Sequence, residues 1–305
     1  MEYTKLGRTG LKVSRIGFGG FGIGGGYLMQ DKNVALRAIE HAFHLGVNYF
    51  DTAPFIYNDS ETLLGKALKG KRDKVVLATK VEKLEEHSIR ECVETSLKQL
   101  QTDYLDILQW RDPTAEALDR WHFREICEEL KSEGKLRFEA VTIGDAQQLA
   151  HGRLGIQRAF PVIQLAYNLI FHQAETELLP EALKENIGIV VRGPLCKGFL
   201  ADRLTAKPAE ITGHPNFRWF TAEEADTLLS LQEELRFLVV PGKRSLAQAA
   251  LRFTLQHPAV CTVIPSMETP EDVDELVEAL NTPLLTHEEI QKAKSIIARF
   301  PSIDY

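Results

Sequence analysis

"FDTAPFIYNDSETLLGKALKG" (residues 50–70) decides how the rest of the chain is read. An apolar stretch containing Val47, Tyr49 and Phe50 runs directly into Asp51, and an amphipathic helical pattern opens after Ser60. Asp51 and Tyr57 therefore fall on a strand-to-helix loop, where α/β proteins build their active sites. The same unit recurs along the chain. "RIGFGG" (15–20) precedes a helical pattern over 32–46, "VNYF" (47–50) one over 60–70, and "VVLAT" (75–79) one over 87–101. "YLDILQ" (104–109) leads to 117–133, "FEAVTI" (138–143) to 145–152, and "VIQLA" (162–166) to 175–186. "GIVVRG" (188–193) and "CTVIPS" (261–266) complete the set, with helical patterns over 245–257 and 270–280. Short Val/Ile/Leu-rich runs alternating with helices are the pattern of parallel strands covered by helices.

Eight such units in 305 residues, with no linker near the midpoint, predict a closed (β/α)8 TIM barrel forming one domain over residues 1–305. An open doubly wound sheet or a two-domain α/β protein is the competing architecture. Two departures from a bare barrel are expected. "YTKLGRTGLKVS" reads as a β-hairpin ahead of the first barrel strand. Residues 200–244 form a long insertion after strand seven, whose acidic helical segment over 221–237 reads as a solvated face.

Composition narrows the function classes. A net charge of -7 without a basic stripe argues against nucleic acid as partner. The N-terminus has no apolar leader and no run of 18 apolar residues occurs, so no membrane association is expected and the cytoplasm is the predicted location. Four cysteines without CxxC spacing predict buried free thiols rather than disulfides or zinc. Nine histidines without HExxH spacing give no metal site. Trp110, Trp219 and Tyr27 are candidates to line an apolar pocket over the barrel mouth, with core packing the alternative for Trp110.

"GFGGFGIGGG" (17–26) contains GxGxxG spacing, which in a Rossmann fold lets backbone amides approach a pyrophosphate. A Rossmann site also needs an acidic residue about 20 residues downstream, and Asp51 lies too far along the chain. The glycines are better read as a tight first barrel loop approached closely by a ligand or by other backbone.

Taken in order, "YTKLGRTGLKVSRIGFGG", "NYFDTA" with "SETLLGKAL", "VVLATK", "VIQLAYN", "RGPLCKGFL" and "SLAQAALRF" followed by "VIPS" resemble the aldo-keto reductase family over essentially the whole chain. The resemblance implies a nicotinamide-dependent oxidoreductase using NAD(P)H to reduce a small-molecule carbonyl: an aldehyde, a ketone or a conjugated carbonyl. As hydride reaches carbon, the oxygen gains negative charge and needs a proton. A free tyrosine, with a pKa of about 10, needs an adjacent ammonium to serve near neutrality. By resemblance Tyr57 is the proton donor, Lys80 the ammonium and Asp51 the carboxylate that orients it. Taken singly, a lysine after a strand is usually a surface residue, an aspartate before a helix often a cap, and a loop tyrosine often a core cover. The family commonly places the tyrosine five residues after the aspartate. Here it is the sixth, Ile56 occupies the shorter spacing, and a one-residue bulge is expected to restore the position.

The chain also departs from the pattern at Arg111, where the family usually has a histidine after strand four. A guanidinium is a permanent cation with a rigid donor fork, so Lys80 and Arg111 together should favour an anionic substrate group or an enolate-like intermediate. Pairing of Arg111 with Asp112 is the alternative. Two other functions keep the same barrel: a dinucleotide-using isomerase or lyase exploiting Arg111, and a non-catalytic nucleotide-binding regulatory protein. By resemblance Thr142 and Gln164 match carboxamide-binding positions, although Ile143 stands where an asparagine is common. Gly193, Leu195, Lys197 and Gly198 match the pyrophosphate cradle, and Arg192 a nicotinamide-stacking position. Within "VIPSMETPEDVDEL", Ser266, Glu268 and Asp272 fall where the family reads the adenosine 2'-phosphate with Arg or Lys. Carboxylates repel a phosphate and suit a ribose hydroxyl, so tolerance of NADH is expected unless Glu268 and Asp272 only cap the following helix.

Overall fold

The computed structural model describes residues 1–26, 31–81, 87–144, 148–201 and 220–301. The chain opens with a hairpin, β1 (Tyr3–Lys5) pairing antiparallel with β2 (Lys12–Ser14) around a 3-10 turn at Gly7–Thr9. Eight parallel strands follow: β3 (Phe18–Gly19), β4 (Tyr49–Asp51), β5 (Val76–Val81), β6 (Leu105–Arg111), β7 (Leu136–Thr142), β8 (Val162–Ala166), β9 (Gly188–Arg192) and β10 (Val260–Ile264). Each pairs with its sequence neighbour. The sheet closes through parallel bridges Ile16↔Val263 and Gly19↔Ser266, with Gly17 N–H donating to the Val263 carbonyl at 2.8 Å. This is the (β/α)8 barrel expected, with β8 occupying the span read from the sequence.

Helices cover the outside. They are α1 (Lys32–His44), α2 (Ser60–Ala67), α3 (Ile89–Leu100), α4 (Ala115–Arg120), α5 (Phe123–Ser132), α6 (Gln148–Gln157), α7 (Leu178–Lys184), α8 (Ala222–Glu234), α9 (Leu246–Gln256), α10 (Pro270–Glu278) and α11 (His287–Ile297). Five of these starts are set by reciprocal side-chain caps. Ser88 with Glu91, Thr221 with Glu224, Ser245 with Gln248, Thr269 with Asp272 and Thr286 with Glu289 each form a reciprocal capping box.

Two readings need correction. The helix expected over 117–133 is broken into α4 and α5, because His122 takes a left-handed φ of 50° between them. The terminal helix α11 was not foreseen, although Thr286–Glu289 followed by Ile290, Ala293 and Ile296 carries a start signal and a helical apolar period. Of the insertion over 200–244, residues 202–219 lie outside the described residues, as do Trp219 and Tyr27; the acidic segment forms α8, whose buried face is Ala225, Leu228, Leu231 and Gln232.

The core has two parts, set by the alternation of strand side chains. Outward residues such as Leu77, Leu108, Val141, Ile163 and Val191 pack beneath the helices. Trp110 belongs to this layer, 5.0 Å from Phe123, so it packs in the core rather than over the mouth. Inward residues Val76, Ala78, Ile107, Ala140, Val162 and Val190 meet Leu6, Leu11 and Val13 of the hairpin, which seals the N-terminal end. All four cysteines are buried free thiols.

Candidate active site

Asp51 ends β4 and Lys80 sits near the end of β5, both facing inward on neighbouring strands. Their side chains are 2% and 1% exposed, and Lys80 Nζ donates to Asp51 Oδ1 at 2.5 Å. An ion pair this deep persists only if its remaining valences are met. Asp51 Oδ2 accepts from Gln109 Nε2 on β6 and from Gln164 Nε2 on β8, each at 2.7 Å. Lys80 also donates to the Thr52 carbonyl at 2.9 Å, which engages two of its three N–H groups. Burial draws the Lys80 ammonium down, but the opposing charges of Asp51 and then Tyr57 outweigh it and hold the amine above its ordinary value, with Arg111 acting against them.

Tyr57 lies on the loop between β4 and α2, half-buried, with its ring centroid 5.1 Å from Lys80 Nζ. The loop reaches it through a sharp turn. Phe55 adopts a left-handed φ of 60° and Ile56 N–H donates to the Pro54 carbonyl at 2.6 Å, so the chain turns tightly just before Tyr57. Arg111 ends β6 with an exposed side chain whose charge reaches Lys80. The neighbouring Asp112 carboxylate accepts from the Gly144 backbone N–H and lies 3.9 Å from His151 Nδ1.

The remaining predicted residues occupy the same, C-terminal end of the barrel. Thr142 Oγ1 donates to Gln164 Oε1 at 3.0 Å, so these two side chains are tied to each other and, through Gln164, to Asp51. Arg192 donates from Nε and Nη2 to the Ile143 carbonyl at 3.0 and 2.8 Å, which bridges β7 to β9 across β8. The loop after β9 turns through Gly193, Cys196, Lys197 and Gly198, all at positive φ. Leu195 anchors it against the core, and its carbonyl accepts from the Gly198 and Leu200 N–H groups. The N–H groups of Cys196, Gly198, Phe199, Leu200 and Ala201 donate to carbonyls within the loop. Lys197 brings a positive charge to it, its Nζ 4.7 Å over the Phe220 ring, so the group this loop could offer a pyrophosphate is the Lys197 ammonium. Ser266 closes the barrel against Gly19. Asp272 Oδ2 accepts from the N–H groups of Glu268 and Thr269 and so caps α10. The Glu268 carboxylate packs against Gly22 of the first loop.

Sequence reasoning missed three polar residues around this site. Gln109 stands in the apolar run "LDILQW", where a buried amide is its own signal, and its Oε1 has no hydrogen-bond partner among the described residues. Asn168 accepts from Ile170 and Phe171 and donates to the Gly193 carbonyl at 2.9 Å, fixing the loop after β9. Glu61 on α2 is fully buried behind β5. Burial raises its carboxyl to about 7 against the lowering hydrogen bonds of Thr79 and Ser96 and the charge of Lys80.

Comparison with known proteins places this geometry in context. The pattern of the Aldo/keto reductase family matches residues 15–298. An NADH-specific methylglyoxal reductase of Escherichia coli (strain K12) is 30% identical over 318 residues, covering 92% of this chain and 94% of the relative. An uncharacterized oxidoreductase, YqkF, of Bacillus subtilis (strain 168) is 29% identical over 309 residues, covering 97% and 96%. Among solved structures, the holo form of aldo-keto reductase AKR11C1 from Bacillus halodurans superposes with a TM-score of 0.79 at 29% identity, covering 100% of this chain and 98% of that one.

Proposed function

The chain belongs to the aldo/keto reductase family and is a carbonyl-reducing, NAD(P)H-dependent oxidoreductase, and on that premise we propose that Tyr57 is its proton donor, tuned by Lys80 and Asp51. The observation that carries the reading is the buried Lys80–Asp51 ion pair beneath the Tyr57 ring. When bound, the nicotinamide supplies the hydride. Charge then develops on the carbonyl oxygen, and the Tyr57 hydroxyl donates its proton there. Lys80 has one N–H beyond those given to Asp51 and Thr52, available to the phenolate that remains. Asp51 keeps that ammonium charged in a site too dry to tolerate it alone. Gln109 and Gln164 hold Asp51 still, so the chain of groups is preorganised before substrate arrives.

The loop of Gly193, Leu195, Lys197 and Gly198 would hold the pyrophosphate through the Lys197 ammonium, Thr142, Gln164 and Arg192 the nicotinamide end, and Ser266 and Glu268 the adenosine ribose. Asp272 serves Glu268 indirectly by fixing its backbone. A carboxylate at Glu268 supports use of NADH, and Arg111 beside Lys80 supports substrates that carry a carboxylate near the carbonyl. The whole chain acts as one catalytic domain.

The test is steady-state reduction of butanal, methylglyoxal and succinic semialdehyde with each cofactor. Stoichiometric NADH oxidation to alcohol is expected, with NADH at least as efficient as NADPH and succinic semialdehyde preferred over butanal. In Arg111→His that preference should fall by about 10-fold or more, the scale of one lost charge-assisted hydrogen bond. A strong NADPH preference removes the Glu268 reading, and an unchanged profile in Arg111→His removes the anionic-substrate reading.

A further inference from the structure

The glycine run that imitates a nucleotide fingerprint is built against the Asp51–Tyr57 loop. Gly20 N–H donates to the Asp51 carbonyl at 2.8 Å, and Gly24 N–H donates back to the Gly20 carbonyl at 3.4 Å. A Cβ on Gly24 would stand 2.0 Å from the Tyr57 carbonyl oxygen and 2.8 Å from its carbon, so no side chain fits without driving the two loops apart. Asn58 Nδ2 donates to the Gly24 carbonyl at 2.7 Å, which locks the loops together immediately after Tyr57. Asn58 has a left-handed φ of 43°, a conformation its short amide tolerates. From the same first loop, the Phe21 ring meets the Tyr57 ring edge-on at 5.2 Å. The Tyr57 backbone is thus gripped by the first barrel loop, while its ring is placed against Lys80.

We propose that Gly24 and Asn58 are positioning residues for Tyr57: the close approach and the amide bond together set where the phenol stands relative to Lys80. This rests on Tyr57 being the proton donor. A displaced phenol leaves cofactor binding intact and slows the chemical step, because proton transfer depends steeply on placement.

The experiment compares Gly24→Ala, Asn58→Gly and Tyr57→Phe in methylglyoxal reduction with NADH. Asn58→Gly removes the amide while keeping a residue at ease with positive φ, so it decides the matter should Gly24→Ala fail to fold. Expected for Gly24→Ala and Asn58→Gly is a kcat loss of roughly 10- to 100-fold. NADH affinity by fluorescence quenching stays unchanged, and the solvent deuterium isotope effect on kcat/KM rises as proton transfer becomes limiting. A loss of folding alone would lower the active fraction without moving the isotope effect. Wild-type kcat and isotope effect in Asn58→Gly, with Tyr57→Phe inactive, overturns the positioning role alone. Full activity in Tyr57→Phe overturns the proton-donor reading beneath it.

Discussion

The two ends of the barrel are made from the same strands and differ in how they use their polar groups. At the N-terminal end the inward positions are Val76, Ile107, Val162 and Val190, packed on Leu6, Leu11 and Val13 of the hairpin. Polar contacts there include the buried Asp106 carboxylate, which accepts from Arg72 Nη2 and Arg137 Nη1 at 2.7 Å each, and the Arg8 Nη2 donation to the Phe160 carbonyl at 2.9 Å. Further along the same strands, toward the C-terminal end, the inward positions become Asp51, Lys80, Gln109, Thr142 and Gln164, linked in one buried network. Left-handed non-glycine residues occur at both ends: Phe55, Asn58, Asp112, Cys196 and Lys197 at this one, and Gln101, Ala159 and Asn186 in the turns that lead into β6, β8 and β9. Both ends bury charge, but Asp106 at the first is tied to two partly exposed arginines at the rim, whereas the Lys80–Asp51 pair at the other is enclosed on both sides and faces the candidate site.

Lys80→Met should break this contrast most severely. It leaves Asp51 buried without its counter-charge, at a cost of about 3–5 kcal/mol in stability, and it removes turnover together with stability. Urea unfolding and kcat on the surviving folded fraction measure both. Leu6→Ala should cost about 2–5 kcal/mol by opening a cavity under the barrel, yet leave kcat per folded molecule unchanged. A large kcat change there would mean that the two ends are mechanically coupled.

The smallest expected effect is at Glu61, behind the network. Its carboxyl rises from an ordinary 4.5 to about 7 in the folded state, so the folded protein holds a proton that the unfolded chain releases earlier. Stability from this group is therefore complete below about pH 4.5, falls as pH rises, and is lost by about pH 7, a total of up to ~3 kcal/mol. Glu61→Gln should remove that slope between pH 5 and 8 in thermal unfolding, and an unchanged slope would show that Glu61 is ionised in the fold.

Much of this contrast is legible in the sequence, for unequal reasons. Strand positions are readable because buried parallel strands are short, apolar and bounded by helices. The hairpin is readable because apolar residues flank Arg-Thr-Gly. Asp51, Tyr57 and Lys80 are readable only through the resemblance, since each alone fits a cap, a cover or a surface residue. Gln109 and Glu61 escaped because their partners lie on other strands and helices, and pairing across a barrel leaves no local pattern. The break at His122 escaped because nothing in "LDRWHFRE" lowers helix propensity enough to signal a left-handed residue. The glycine run is legible as a tight loop under close approach, and only the neighbour is left open: close approach demands glycine whether that neighbour is a phosphate or the Tyr57 carbonyl.

Single-turnover oxidation of bound NADH by methylglyoxal in Tyr57→Phe tests the proton-donor assignment most directly. A rate lower by about 10²- to 10⁴-fold, with NADH quenching unchanged, is the result expected when the general acid is removed. Hydride transfer at the wild-type rate would contradict it.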